Sequence, residues 1–188
     1  MPPKVKITES EIVQTALELL RVGGAQAVNA RSIAAALNCS TQPIFSNFAT
    51  MEKLQDAVSD AARKLYYDFI SREVGSGAYP QYKAFGLAYI RFAKEEKEIF
   101  KYLFMCDRNG KDLTPTEDFE ASVKIIMTAN GISQESATRM HMEMWAFVHG
   151  IATMFATSFL ELEWNVISDM LTDVYQGLRA RYLSEVSK

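Results

Sequence analysis

Between Ser40 and Phe48 the chain reads Ser-Thr-Gln-Pro-Ile-Phe-Ser-Asn-Phe. At helical spacing Thr41, Gln42, Ser46 and Asn47 fall outward as short polar side chains, with Ile44, Phe45 and Phe48 expected inward. Glutamine and asparagine each present a donor beside an acceptor, which matches the edge of an adenine in a major groove. The segment carries no charge of its own. Attraction to phosphates would therefore fall to Arg31, Lys53, Lys4 and Lys6, and to helix N-termini.

Such a reading segment needs elements to hold it. Thr8-Glu9-Ser10-Glu11 is a capping box, with Ile7 and Ile12 at the hydrophobic-staple positions. Ile12, Val13, Ala16, Leu17 and Leu20 follow as one apolar stripe, and Gly23-Gly24 ends that first helix. Asn29 caps a short second helix with Ile33, Ala34 and Leu37 on its inner face. Asn38 tolerates the left-handed backbone of a tight turn. Ser40 or Thr41 then caps a third helix that admits Pro43 in its first turn and ends near Ala49. Two short helices meeting through so brief a turn form a helix-turn-helix. A fourth, long helix begins after Thr50, with Leu54, Val58, Ala61, Leu65 and Phe69 on one side, and reaches about Arg72 before Gly75-Ser76-Gly77.

The remainder is also helical. Pro80 opens a helix whose Tyr82, Phe85, Tyr89 and Phe92 face one way. A short helix over 96–105 and a polar loop around 107–111 lead to a second capping box, Thr114-Pro115-Thr116-Glu117, whose helix ends at Asn130-Gly131. Ser133 opens a long helix to about Ser158, and a last one runs from about Asn165 to Ser184, with Ile167, Leu171, Val174, Leu178 and Tyr182 on one stripe. The expected fold is all-α, about nine helices: a three-helix helix-turn-helix domain over 1–50, a connecting helix over 51–73, and a larger helical domain over 74–188.

Bulk properties bound the function. The 188 residues are 48% hydrophobic and 23% charged with a net charge of −3, which fits a globular chain and excludes a disordered or strongly basic one. Residues 1–50 hold four bases against three acids, a net of +1, and residues 51–74 hold four bases against five acids. A shallow salt dependence is the expectation for any phosphate binding. The uncharged run from Met144 to Leu160 is short of the ~20 apolar residues a membrane span needs, so a buried helix is expected and no membrane association. The N-terminus lacks the apolar core of a secretory signal. Two cysteines, Cys39 and Cys106, suit a reducing compartment, and a cytoplasmic location is expected.

Two further groups of residues stand out. Phe85, Tyr89, Phe92, Tyr102, Met105, Phe119, Met127, Met144 and Trp145 have the composition of an apolar small-molecule pocket, although ordinary core packing accounts for each one singly. Ala146, Gly150, Ala152 and Ala156 permit close approach on the penultimate helix, while Ile151, Met154 and Phe155 there, with Val174 and Leu178 on the last helix, supply apolar area for pairing with a second copy. His141 and His149 lack a third partner for a metal; His149 reads as a hydrogen-bonded interior residue and Cys39 as a small packed one. No phosphate loop, metalloprotease helix or serine elbow occurs, so neither a cofactor nor catalysis is expected.

Residues 7–54 resemble the DNA-binding domain of the TetR-type transcriptional repressors. The likeness rests on Ile12, Ala16-Leu17, Gly24, Ile33-Ala34, Leu37, Ser40, Phe45-Ser46-Asn47-Phe48, Glu52 and Leu54. Trp145-Ala-Phe-Val-His149-Gly150 resembles the tryptophan–histidine–glycine signature of one effector-domain subfamily. Phe45 stands where many members have tyrosine, Met51 where many have lysine, and Asn38 at the usual turn glycine. The resemblance implies a homodimer on a palindromic duplex, a four-helix bundle from the last two helices of each copy, a small-molecule effector, repression as the common mode, and DNA contact from Arg31. Ser40, Thr41, Gln42, Phe45, Ser46, Asn47 and Lys53 complete the expected DNA-binding set. Two other classes stay open: a helical protein-interaction adaptor without specific DNA binding, and a helical enzyme with an unrecognised site, against which the lack of an acid–base pair argues.

Overall fold

The computed structural model describes residues 7–106 and 117–186. Among these residues the chain is all-helical, with nine α-helices, one 3-10 turn and no strand. Lys4, Lys6, the polar loop and the expected cap at Thr114–Thr116 lie outside the described residues. The helices are α1 (Glu9–Gly23), α2 (Ala30–Ala36), α3 (Gln42–Asn47), α4 (Met51–Gly75), α5 (Gln81–Glu95), α6 (Lys97–Phe104), α7 (Glu117–Asn130), α8 (Gln134–Ala156) and α9 (Trp164–Val186). They gather into two compact units, one of Met1–Asp68 with Glu96–Cys106, the other of Phe69–Glu95 with Asp107–Lys188. Segment 96–106 thus groups with the N-terminal part of the chain, and α4 contributes residues to both units.

In the first unit, sequence chemistry sets the helix ends. Thr8 Oγ1 accepts from the Glu11 amide at 3.2 Å while the Glu11 carboxylate accepts from the Thr8 amide at 2.8 Å, closing the capping box. The Thr8 amide and then the Thr8 hydroxyl, each donating to the Glu11 carboxylate at 2.8 Å, hold that carboxyl below its ordinary pKa. The chain leaves α1 at Gly24, whose φ of +71° would strain any side chain. Asn29 caps α2 by accepting from the Ser32 amide at 3.0 Å. Asn38 takes φ +51° in the turn that follows. Thr41 precedes α3 in helical backbone without a side-chain cap bond.

The core of this unit collects Ile12, Ala16, Leu17 and Leu20 from α1, Ile33 and Ala34 from α2, Ile44 from α3, Leu54, Val58 and Ala62 from α4, and Ile99 and Phe100 from α6. The buried alanine of α4 is Ala62 rather than the expected Ala61, which is half-buried. A spacing of four from Val58 keeps Ala62 on the Leu54 side of the helix. Helix α6 packs on α1. Arg21 fixes that pairing with a two-pronged bond to Glu96, Nε to Oε2 at 2.8 Å and Nη2 to Oε1 at 3.1 Å, and its remaining Nη1 donates to Glu18 at 3.0 Å.

The second unit is built around α5, which packs against α7, α8 and α9. That explains why α5 buries more than one stripe: Ala84, Leu87, Ala88, Tyr89, Ile90, Phe92 and Ala93 are all inside. Gly86 allows the close approach, since a Cβ there would stand 3.0 Å from Leu171 Cδ2 and 3.4 Å from Val148 Cγ2. Below it Val123, Ile126, Ile132, Ala137, Met140 and Tyr182 form a second cluster that ties α7 to α8 and α9. No helix among the described residues is long and apolar enough to cross a membrane. The Glu96→Gln variant keeps the shape of the Arg21 pair and removes its charge. It should destabilise the first unit by about 1 kcal/mol in chemical denaturation, with faster amide exchange concentrated in α6.

Candidate nucleic-acid interface

Helix α3 spans only 6 residues, too few to be stable alone, so burial must hold it. Ile44 and Phe48 do so, at 1% and 5% exposure. Phe45, expected inward, is instead 48% exposed. The reason is angular: Ile44 and Phe48 are four apart and claim the inner face, and the residue next to Ile44 is turned about 100° away. The exposed surface of α3 therefore comprises Gln42, Phe45 and Ser46, with Thr41 half-buried at its start.

Asn47, expected outward, has its amide committed elsewhere. Its Nδ2 donates to Pro43 O at 2.7 Å and to Ile7 O at 3.3 Å. The first bond closes the last turn of α3, and the second ties it to the residue that leads into α1. Asn47 is a clamp between two chain segments 40 residues apart. Ser46 stays exposed, with its Oγ donating back along the helix to Gln42 O at 2.9 Å. Neither use was legible in the sequence, because an outward-falling amide at a helix end can turn back to a carbonyl four residues earlier.

Among the described residues, the basic groups around this tip are few. Arg31 on α2 is exposed and makes no ion pair among the described residues. Lys53 on α4 is 72% exposed and reaches Asp56 only at 3.8 Å, a pair that solvent screens. Arg21, a quarter of the bases counted over residues 1–50, is committed to Glu18 and Glu96. Ser40 is exposed in the turn, and Cys39 beside it is a half-buried free thiol.

The aromatic and methionine residues expected to line a pocket divide. Tyr102 and Met105 belong to the first unit, where the Tyr102 hydroxyl donates to Gln55 O at 3.4 Å and Met105 is exposed. Phe85, Tyr89, Phe92, Met127, Met144 and Trp145 belong to the second. Phe92 is fully buried edge-on to Phe69, Met144 is core, Met127 and Phe119 pack against the lower cluster, and Trp145 is 44% exposed. The second unit also carries a small cleft of about 70 Å³ lined by Glu73, Tyr79, Leu87 and Arg91 among others. None of the expected pocket residues lines this cleft, and ligand pockets run to roughly 300–1,000 Å³. Of the residues expected to pair copies, Ile151 and Phe155 are buried within the chain's own core. Leu178 packs against the lower cluster. Met154, Gly150 and Val174 are half-buried.

His149, expected as a hydrogen-bonded interior residue, is half-buried and couples to a tyrosine of α5, and His141 couples to another in the same way. The Tyr82 hydroxyl lies 2.9 Å from His141 Nδ1, and the Tyr89 hydroxyl 2.9 Å from His149 Nδ1. Tyrosines seven apart on α5 and histidines eight apart on α8 stay on facing sides over two turns, and that matched spacing is the one signal in the sequence that could have found them. Phe119 packs edge-on against His141 at 4.7 Å, and Trp145 stacks on His149 at 5.1 Å with ring planes 14° apart. Burial lowers the His141 imidazole to about 4 and pushes His149 down as well. Burial, and then Tyr175, raise the Tyr82 phenol. Both imidazoles are neutral at pH 7 and each can take part in a single directed bond with its tyrosine.

Two outcomes are expected from these positions. Asn47→Ala should lower the stability of the first unit by about 1 kcal/mol, whereas Gln42→Ala on the same helix should leave it unchanged. His141 takes up a proton near the ordinary histidine pKa of about 6.5 in the unfolded chain and only near 4 in the folded one, so the stability it contributes is full above pH 6.5 and is lost toward pH 4. Thermal midpoints from pH 7 to pH 4.5 should fall less steeply for His141→Phe than for the native chain; an identical slope would refute the assignment. Compared with known proteins, the chain matches no family model, and no curated protein matches it.

Proposed function

We propose that this chain is a sequence-specific DNA-binding transcriptional regulator of the TetR type, acting in the cytoplasm as a homodimer on a palindromic duplex. The observation that carries the reading is the α2–turn–α3 unit. Its Ile33, Ala34, Ile44 and Phe48 are buried while Gln42, Phe45 and Ser46 are exposed at the tip, with the half-buried Thr41 beside them. A helix held from behind by apolar groups, with a polar edge reader in front, has the form a major groove accepts. The family resemblance of residues 7–54 points the same way. Arg31 and Lys53, exposed and one on each flanking helix, are the cations we assign to phosphates.

One helix-turn-helix supplies little affinity, which motivates the dimer. The outer side of α8 supports it. Met142, Trp145 and Ala146 are exposed, and a Cβ placed on Gly150 of α8 or Gly177 of α9 would meet nothing within 4 Å. With Ile151 and Phe155 committed inside, this outer face is the part of the last two long helices left for a second copy. The regulatory step we propose is release of DNA when a small apolar effector binds the second unit and tilts α4. That α4 is one unbroken helix with residues in both units supports the idea. A coupling of about 1–3 kcal/mol would suffice.

Selection of bound sequences from random duplex DNA tests the proposal. The enriched site should be two inverted half-sites, bound by two chains. Gln42→Ala should relax the preference at one base pair per half-site, a loss of about 1–3 kcal/mol. Arg31→Ala should weaken all duplexes alike and make the salt slope shallower by about 0.9 for each phosphate that Arg31 neutralises. Failure to enrich any sequence would sink the regulator reading in favour of a protein-interaction adaptor.

A further inference from the structure

We infer that Phe45 is a base-reading residue that recognises thymine through its C5-methyl group, working beside Gln42 on the same face of α3; the inference rests on the DNA-binding reading above. Three observations converge on it. Phe45 is 48% exposed at the tip of a six-residue helix, although Ile44 and Phe48 around it are buried. Its exposure is built in, since the inner face is already filled. Second, two neighbouring polar side chains already donate within the protein: Asn47 to Pro43 O and Ile7 O, and the exposed Ser46 to Gln42 O. Third, Phe45 lies three residues from Gln42 and four from Thr41, so the three side chains share one face.

That face presents an amide, a hydroxyl and an aromatic ring. The amide suits the paired donor and acceptor of adenine, and the only apolar feature on any major-groove edge is the thymine methyl. A phenyl ring has no hydroxyl to give a phosphate, so its contribution to affinity must come from apolar area removed from water. In a groove lined by polar edges, that area is found at thymine. The expected half-site therefore contains an adenine read by Gln42 and a thymine close by, on either strand, covered by Phe45. Arg31 and Lys53 would fix the register without selecting sequence.

The first arm of the test changes only the DNA. The duplex enriched by the native chain is resynthesised with deoxyuridine replacing thymine one position at a time, which removes a methyl and nothing else. Affinities are read by fluorescence anisotropy at fixed salt. One thymine in each half-site should show a loss of about fourfold when its methyl is removed, the effect of one buried carbon. Phe45→Ala should bind more weakly and lose its sensitivity at that thymine, while Gln42→Ala keeps it. Because Phe45 is exposed, the alanine variant should match the native chain in helicity and thermal midpoint. Specific binding that is indifferent to every thymine methyl, or a Phe45→Ala chain that still responds to methyl removal, overturns the thymine contact and leaves the regulator reading standing. A chain that enriches no duplex overturns both.

Discussion

Burial of Ile44 behind a six-residue helix holds the tip of the first unit in place. A helix of that length has too few internal hydrogen bonds to persist in water. It exists because one aliphatic side chain and Phe48, just past its end, are seated in the core that α1, α2 and α4 also fill. Everything exposed on α3 is exposed because those two positions are not. The Asn47 clamp adds direction to this adhesion. Apolar burial fixes which side of α3 faces inward, the bond to Pro43 O closes its last turn, and the bond to Ile7 O anchors its end to the residue that leads into α1.

The same unit is completed from elsewhere in the chain. A three-helix core of this size buries only a modest fraction of its surface. Segment 96–106 supplies Ile99 and Phe100, both fully buried, and Arg21 pins the start of that segment to α1 through Glu96. The bidentate geometry makes the join directional as well as attractive, because a guanidinium meets a carboxylate with both prongs in only one orientation. Glu18 shares the same guanidinium, so the cation is fully occupied and contributes little to any outward field.

In the second unit the organising element is α5, enclosed by three other helices. Enclosure keeps water from its inner faces, so polar groups there must find partners within the protein. Tyr82 and Tyr89 each meet a histidine of α8, and the polar atoms are satisfied pairwise inside an otherwise apolar contact. These bonds also set the register of α5 against α8, since a shift along either helix breaks both couples together. Trp145 belongs to this arrangement from outside: its indole lies flat on His149, which holds an exposed aromatic ring in a fixed orientation on the outer side of α8.

Local chemistry is what the residues spell out unaided. The capping box at Thr8–Glu11, the Asn29 cap, the Asn38 turn and the apolar periodicity of each helix follow from backbone chemistry and spacing, and the all-α fold and the number of helices were legible from them. How each side chain is used emerges only when the helices pack. Phe45 has the character of a core residue and is exposed, because apolar character does not say which of the adjacent Ile44 and Phe45 wins the inner face. Asn47 has the character of a base reader and is a clamp, because its partner carbonyl at Ile7 is remote in sequence and close in space. Segment 96–106 reads as one more amphipathic helix, and nothing within it names α1 as the surface it covers. Periodicity reports that a face will be buried, whereas the identity of the covering element depends on the closure of long loops, a cost and a choice that no local pattern encodes.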